Sequence, residues 1–305
     1  MNIGVSAYLQ WYGPPMALVA KTAEDLGFES IWKGEHIIIP VDIAKPERHG
    51  TPLPDDYKHM PDPFIWMTAA ATATTHLKLG FDICLLPQRN PLVLAKEVAS
   101  LDVISNGRVV LGVGSGWIEE EAGIMGYPFK KRWPKTMEHL RALKTLWTEE
   151  QPSFEGEFVS FPPVYSYPKP VQQPHPPILI GAGNHNTDNT RVLQRVADIG
   201  DGWVPAFLSP AQMKEQLAQL AELCEANGRD ASTMDITVLV PGNNLSVGER
   251  PAFFGNQEET PRDPRELIAE YEEAGVTRII VGLPAIKEES DLKHMQEAAK
   301  RLGLV

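Results

Sequence analysis

Residues Leu79 to Trp117, LGFDICLLPQRNPLVLAKEVASLDVISNGRVVLGVGSGW, carry a strand–helix–strand unit whose reading decides the fold. The apolar run from Leu77 to Leu86 predicts a strand. Pro91 opens a helix with Leu94, Val98 and Leu101 on one face, Asn106-Gly107 breaks it, and Arg108 to Val113 predicts the next strand. Both strands are apolar along nearly their whole length, as strands covered on two faces are.

The same alternation extends in both directions. Upstream, Ile3 to Ala7 is a short strand, Met16, Val19, Ala20, Ala23 and Leu26 recur at helical spacing until Gly27, and Ser30 to Lys33 is a second strand. A Pro-rich loop from Glu35 to Pro61 follows, then Asp62 caps a helix that begins at Pro63 and runs through His76. Downstream, Leu140, Leu143, Leu146 and Trp147 mark a helix, and SFEGEFVSF within Gln151 to Pro177 predicts a hairpin. Strands at Ile178–Ile180, Gly202–Val204, Ile236–Val240 and Arg278–Val281 alternate with helices around Val196, Leu220, Leu267 and Met295. Eight βα units predict an α/β (β/α)8 TIM barrel, one domain over 1–305, with insertions at about 40–61, 150–177 and 241–262 on the C-terminal face. A doubly wound dinucleotide sheet is disfavoured, because Gly4 and Gly13 stand too far apart to make GxGxxG after the first strand.

Composition narrows the function. With 28 Lys plus Arg against 40 Asp plus Glu, the net charge is −12, and nothing in the chain gathers its cations on one face. Nucleic acid is therefore not an expected partner. The start MNIGVSAYLQ lacks a signal-peptide pattern and no window holds 18 uncharged apolar residues, so the expectation is a cytoplasmic protein with no membrane partner. Cys84 and Cys224 form no CxxC and read as buried free thiols, and the eight histidines show no HExxH, so no protein-bound metal is expected.

In such a barrel the chemistry sits where the strands end. Glu35-His36 offers a histidine with an acidic neighbour, suited to proton transfer, although a lone loop histidine is more often a polar surface residue. Asp82 is costly to bury unpaired, so it either points out of the barrel end or has a partner. Arg89-Asn90 supplies that partner or simply starts the helix before Pro91. Gly114-Ser115-Gly116 and Gly181-Ala182-Gly183-Asn184 lack the P-loop GK[ST], yet two bare turns on neighbouring strands favour a phosphate site over mere tight turns. Trp11, Trp32, Trp66 and Trp117 read as core filler before ring-stacking platforms.

With SIWKGEH, PFIWMTAAATATTHLK, YPKPVQQPHPPILIGAGN and DIGDGWVP around it, the opening stretch resembles the bacterial luciferase-like monooxygenase superfamily over roughly Met1 to Leu208. It is most similar to the oxidoreductases that use the deazaflavin coenzyme F420. The resemblance implies that His36, paired with Glu35, is catalytic. It implies a non-prolyl cis peptide at Asp82-Ile83 behind the cofactor ring, with Asp82, Ile83, Arg89, Asn90, Gly114, Ser115, Gly116, Gly181, Ala182, Gly183 and Asn184 as cofactor-binding residues. Trp117 falls where some sugar-phosphate dehydrogenases of the family carry a carboxylate, with Glu120 as a substitute if the loop allows it, and Val41 to Pro61 and the hairpin correspond to segments that close over substrate. The activity implied is F420-dependent hydride transfer to or from a small-molecule substrate. The alternatives are an FMN-dependent two-component monooxygenase using O2, or a barrel that binds cofactor without turnover. A separate flavin or F420 reductase and a homodimer complete the expected partners.

Overall fold

Eight parallel strands close into a barrel in the computed structural model, which describes residues 1–44, 47–48, 51–184, 188–242 and 263–305. They are β1 (Asn2–Leu9), β2 (Ser30–Lys33), β3 (Lys78–Phe81), β4 (Val109–Gly114), β5 (Ile178–Ile180), β6 (Gly202–Trp203), β7 (Asp235–Pro241) and β8 (Arg278–Ile286). Each pairs with the next in sequence, β4 pairs with β5 through Val113 and Ile180, and β8 returns to β1 in a register that sets Asn2 beside Arg278. The helices are α1 (Met16–Asp25), α2 (Pro63–Ala73), α3 (Pro91–Ser105), α4 (Glu119–Ile124), α5 (Arg132–Thr148), α6 (Thr190–Ile199), α7 (Pro210–Ala226), α8 (Pro264–Glu273) and α9 (Lys293–Leu302). The (β/α)8 architecture read from the alternation is the observed one.

Two devices fill the barrel from below. The fully buried Trp32 lies across the interior, where a Cβ on Gly80 would sit 2.2 Å from its ring and one on Gly4 2.7 Å from its Nε1, which donates to Ser30 Oγ at 2.8 Å. Beneath it the Arg278 guanidinium, 5.6 Å from the Trp32 ring centroid, bonds Glu29 at 2.9 Å and Asp235 at 2.6 Å. The N-terminal ends of β2, β7 and β8 are thereby joined by one cation.

Helix starts follow the sequence closely. Asp62 accepts from the Phe64 and Ile65 amides and Pro63 occupies the first position of α2, although the helix stops at Ala73 rather than His76. The third strand is not continuous to Leu86. It breaks at Asp82-Ile83, a cis peptide, and resumes as Cys84–Leu85 beside Val113 and Gly114. The expected hairpin is present as Phe154–Glu155 against Ser160–Phe161. It belongs to the connection between α5 and β5, where Glu138 on α5 accepts from the amides of Glu157, Phe158 and Val159. The third expected insertion, 241–262, lies outside the described residues from 243 onward. Cys84 and Cys224 are buried free thiols. No helix among the described residues is long and apolar enough to cross a membrane.

The Arg278 cluster sets an acid limit. Burial alone would raise the Glu29 pKa, but Arg278 and Lys78 outweigh it and hold the carboxyl at about 2, below its ordinary 4.5. A folded pKa below the unfolded one gives stability that is fully present above about pH 4.5 and lost as pH falls toward 2. Glu29→Gln is expected to cost about 2 kcal/mol at neutral pH, with the gap from the wild type narrowing below pH 4.5 in urea denaturation; a gap independent of pH would refute the linkage.

Candidate active site

The strand ends enclose a cavity of about 320 Å3 to which all eight strands or the residues just after them contribute. His36, two residues past Gly34 at the end of β2, lines it with a side chain only 6% exposed. Its Nδ1 stands 2.9 Å from Glu121 Oε2, and its ring lies 5.3 Å from that of Tyr57 and 6.1 Å, edge-on, from that of Trp117. Glu121 is fully buried on α4, and its Oε1 has no hydrogen-bond partner among the described residues. The acidic partner of His36 is therefore Glu121, 85 residues away, and not the adjacent Glu35.

Glu35 also borders the cavity, but its carboxylate is engaged elsewhere. Its Oε1 accepts from Arg89 Nε at 2.7 Å and its Oε2 from the Leu85 amide at 2.7 Å. Arg89 also bonds Asp62 at 2.7 Å and Glu97 at 3.2 Å and lies over the Phe64 ring. Asn90 caps α3 by accepting from the Leu92 amide at 2.9 Å. Neither Arg89 nor Asn90, both expected at the cofactor, borders the cavity, so the pair starts the helix and does not reach Asp82. Glu120 likewise faces away from the cavity and accepts from the Ala44 amide at 2.8 Å.

Asp82 and Ile83 both line the cavity. Asp82 Oδ1 is buried without a hydrogen-bond partner among the described residues. Burial raises the Asp82 pKa to about 7, against the opposing pull of Ser6 and Lys33. Burial also lowers the Lys33 ammonium to about 8, where it lies 5.5 Å from the Trp66 ring centroid. The Ile83 side chain fills space that three glycines leave open. A Cβ would fall 3.4 Å from it on Gly112, 2.1 Å on Gly114 and 2.3 Å on Gly181. Gly114, read from sequence as a cofactor contact, does not border the cavity and serves this packing.

Ser115, Gly116, Gly181, Ala182, Gly183 and Asn184 do border it. Gly116 at φ +77° and Gly183 at φ +96° need the left-handed region, and a Cβ on Gly183 would meet Asn189 Oδ1 at 2.7 Å. Tyr8, Tyr57, Arg132, Trp133 and Phe207 complete the walls and escaped the sequence reading, as did Glu121. Of the segments expected to close over substrate, the 40–61 stretch contributes Tyr57 and Met60, whereas no residue of 150–177 reaches the cavity.

Comparison with known proteins agrees with this architecture. The model of the luciferase-like monooxygenase family matches residues 15–252. The chain belongs to that family. An uncharacterised protein of Mycobacterium tuberculosis is 31% identical over 99% of both chains. An F420-dependent glucose-6-phosphate dehydrogenase of Amycolatopsis mediterranei is 30% identical over 67% of this chain and 57% of its own. The solved structure of an F420-dependent secondary alcohol dehydrogenase with an F420-acetone adduct superposes with a TM-score of 0.74 at 20% identity, covering 100% of this chain and 98% of that one, a likeness of fold.

In this luciferase-like barrel Gly181 and Ile83 act as one unit. Gly181→Ala is expected to lower stability by about 1–3 kcal/mol, and Ile83→Ala in the same chain to recover part of the loss. Gly123→Ala on α4, where a Cβ meets nothing within 4 Å, serves as the control and should gain up to about 1 kcal/mol. Equal losses at 181 and 123 in chemical denaturation would refute the packing role.

Proposed function

We propose that this protein is an F420-dependent oxidoreductase that moves a hydride to or from a small organic substrate, with His36 handling the accompanying proton. The observation that carries the reading is the His36–Glu121 contact of 2.9 Å on the wall of a cavity backed by the Asp82-Ile83 break and by bare turns after β4 and β5. The F420-dependent relative supports the choice of cofactor.

The residues present fit such a group. Gly181 and Gly183 admit no Cβ, so their backbone meets the cavity bare, and the Ser115 hydroxyl and the Arg132 guanidinium, whose Nε has no partner among the described residues, add donors for a phosphate. Ser115, Gly116 and Gly181 to Asn184 would hold the phosphate and ribityl part, and Ile83 would back the ring. A bound deazaflavin supplies hydride transfer and lacks the ring nitrogen that activates oxygen.

The chain's own groups handle protons and position. Because Nδ1 of His36 faces the Glu121 carboxylate, Nε2 is the atom left to take a proton from an oxidised substrate or return one to a reduced substrate. Buried Glu121 then holds the imidazolium, in the way a buried carboxylate steadies a catalytic histidine. Glu35 is a positioning residue that fixes the strand end through Arg89 and Leu85. The rings of Tyr8, Tyr57, Trp117 and Phe207 limit water around His36. Trp117 offers no carboxylate for sugar-phosphate chemistry, so a different small substrate is expected. Reductive turnover draws its reduced cofactor from a separate F420-reducing enzyme.

His36→Ala is expected to lower turnover of F420 with small alcohols and carbonyls by about 10^2 to 10^4-fold while leaving F420 affinity nearly unchanged. Glu121→Gln should lower kcat by about tenfold or more at similar affinity. Oxygen consumption with reduced FMN, in a protein that does not bind F420, would reassign it as a two-component monooxygenase.

We extend the reading to a homodimer through α2 and α3, which expose Ile65 at 71%, Val93 at 57% and Ile104 at 49% beside apolar residues already packed inward. Sedimentation should give twice the chain mass, and Ile65→Asp with Val93→Asp should halve it. A monomeric wild type at micromolar concentration sinks this extension.

A further inference from the structure

The fold gathers cations that the sequence keeps apart, contrary to the reading of the chain's charge taken from sequence alone. Arg132, in the run Lys130-Lys131-Arg132 that leads into α5, borders the cavity, lies 3.9 Å from the Phe129 ring centroid and donates to the Phe129 carbonyl. Its neighbour Trp133 also borders the cavity, and the Arg195 guanidinium of α6 lies 4.3 Å from the Trp133 ring centroid. Arg195 Nη1 donates to the carbonyl of Arg191, one helical turn earlier, at 2.9 Å, and Arg191 is exposed. Burial first, then the nearby charges of Arg191 and Arg132, lower the Arg195 pKa.

The carboxylates around these guanidinium groups are otherwise engaged or distant. Asp198 accepts from Gln194 and Asn227, Asp188 accepts from the Thr190 amide, and Glu119 acts on Arg132 only at a distance. Among the described residues none of the three arginines makes an ion pair. In a chain of net charge −12, these three guanidinium groups stand together with Arg132 on the cavity wall, and Asp188 and Asp198 act on Arg191 and Arg195 only at a distance, so an anion would supply the direct partners they lack among the described residues.

We propose that Arg132, Arg191 and Arg195 form a rim that binds the oligocarboxylate tail of the deazaflavin cofactor where it leaves the cavity. The inference rests on the F420 reading and deepens it. FMN ends at its phosphate, whereas F420 continues beyond its phosphate into a chain of carboxylates, so a cationic rim outside the phosphate turns distinguishes the two. The other source of the same chemistry is a phosphorylated substrate.

The test is a fluorescence titration of the full-length chain with F420 bearing its oligoglutamate tail and with a truncated F420 that keeps the phosphate but lacks the glutamates, at low and high salt. Wild type should bind tailed F420 at least about tenfold more tightly than the truncated form, and the gap should close as salt screens the rim. In R191Q/R195Q the gap should vanish while affinity for the truncated form stays, which also shows that the variant folds. Equal affinities in the wild type, or a gap that survives R191Q/R195Q, would overturn the inference and leave the cofactor assignment standing. A variant that keeps F420 affinity but loses binding of inorganic phosphate would give the rim to a phosphorylated substrate and overturn it as well. Binding of neither deazaflavin would remove the cofactor assignment, and the rim's role with it.

Discussion

The contact between Glu35 and Arg89 is the constraint on which the catalytic face depends. One carboxylate takes the Leu85 amide and one guanidinium, and that guanidinium continues to Asp62 at the start of α2 and to Glu97 on α3. Three stretches of chain, at Glu35, at Asp62 and from Leu85 to Glu97, are thereby fixed around one buried charge pair. Removing Arg89 would leave the buried Glu35 carboxylate without a cation, a loss of about 3–5 kcal/mol. With the Glu35 carboxylate taken up in this way, the partner of His36 on the cavity wall is Glu121.

The two faces of the barrel are organised differently. At the N-terminal end Arg278, Glu29, Asp235 and Trp32 form a closed plug in which each charge is matched. At the C-terminal end polar atoms are left over instead: Asp82 Oδ1, Lys33 Nζ, Glu121 Oε1 and Arg132 Nε have no hydrogen-bond partner among the described residues. Buried groups of this kind are costly, and their concentration at one end locates the part of the molecule shaped for a ligand rather than for stability.

Much of the barrel was legible because strands covered on both faces must be apolar, and helices must show their spacing and their caps. Asp62-Pro63 and Asn90-Pro91 marked two helix starts correctly. The break in the third strand was legible only by resemblance, since nothing in FDICLL sets its middle apart. Glu121 was not legible at all. Three glutamates stand in a row, and only the rotation of a six-residue helix sends one to Ala44 and the next to His36. The pairing of His36 with its sequence neighbour failed for a related reason, because Arg89 and the Leu85 amide, some fifty residues on, take the Glu35 carboxylate. The arginine rim joins α5 to α6 across some sixty residues, a distance no local pattern spans.

Trp32 bears on how this chain can change over time. Its ring takes the space that side chains at 4 and 80 would need, so the three positions are not free to vary one at a time. A larger residue at either glycine is admissible only after the indole has shrunk, and a smaller residue at 32 leaves a void until a glycine grows. Exchange at the barrel centre is therefore epistatic, with an order of substitutions imposed by volume, and a library that randomises these sites singly would miss the combinations in which they vary together.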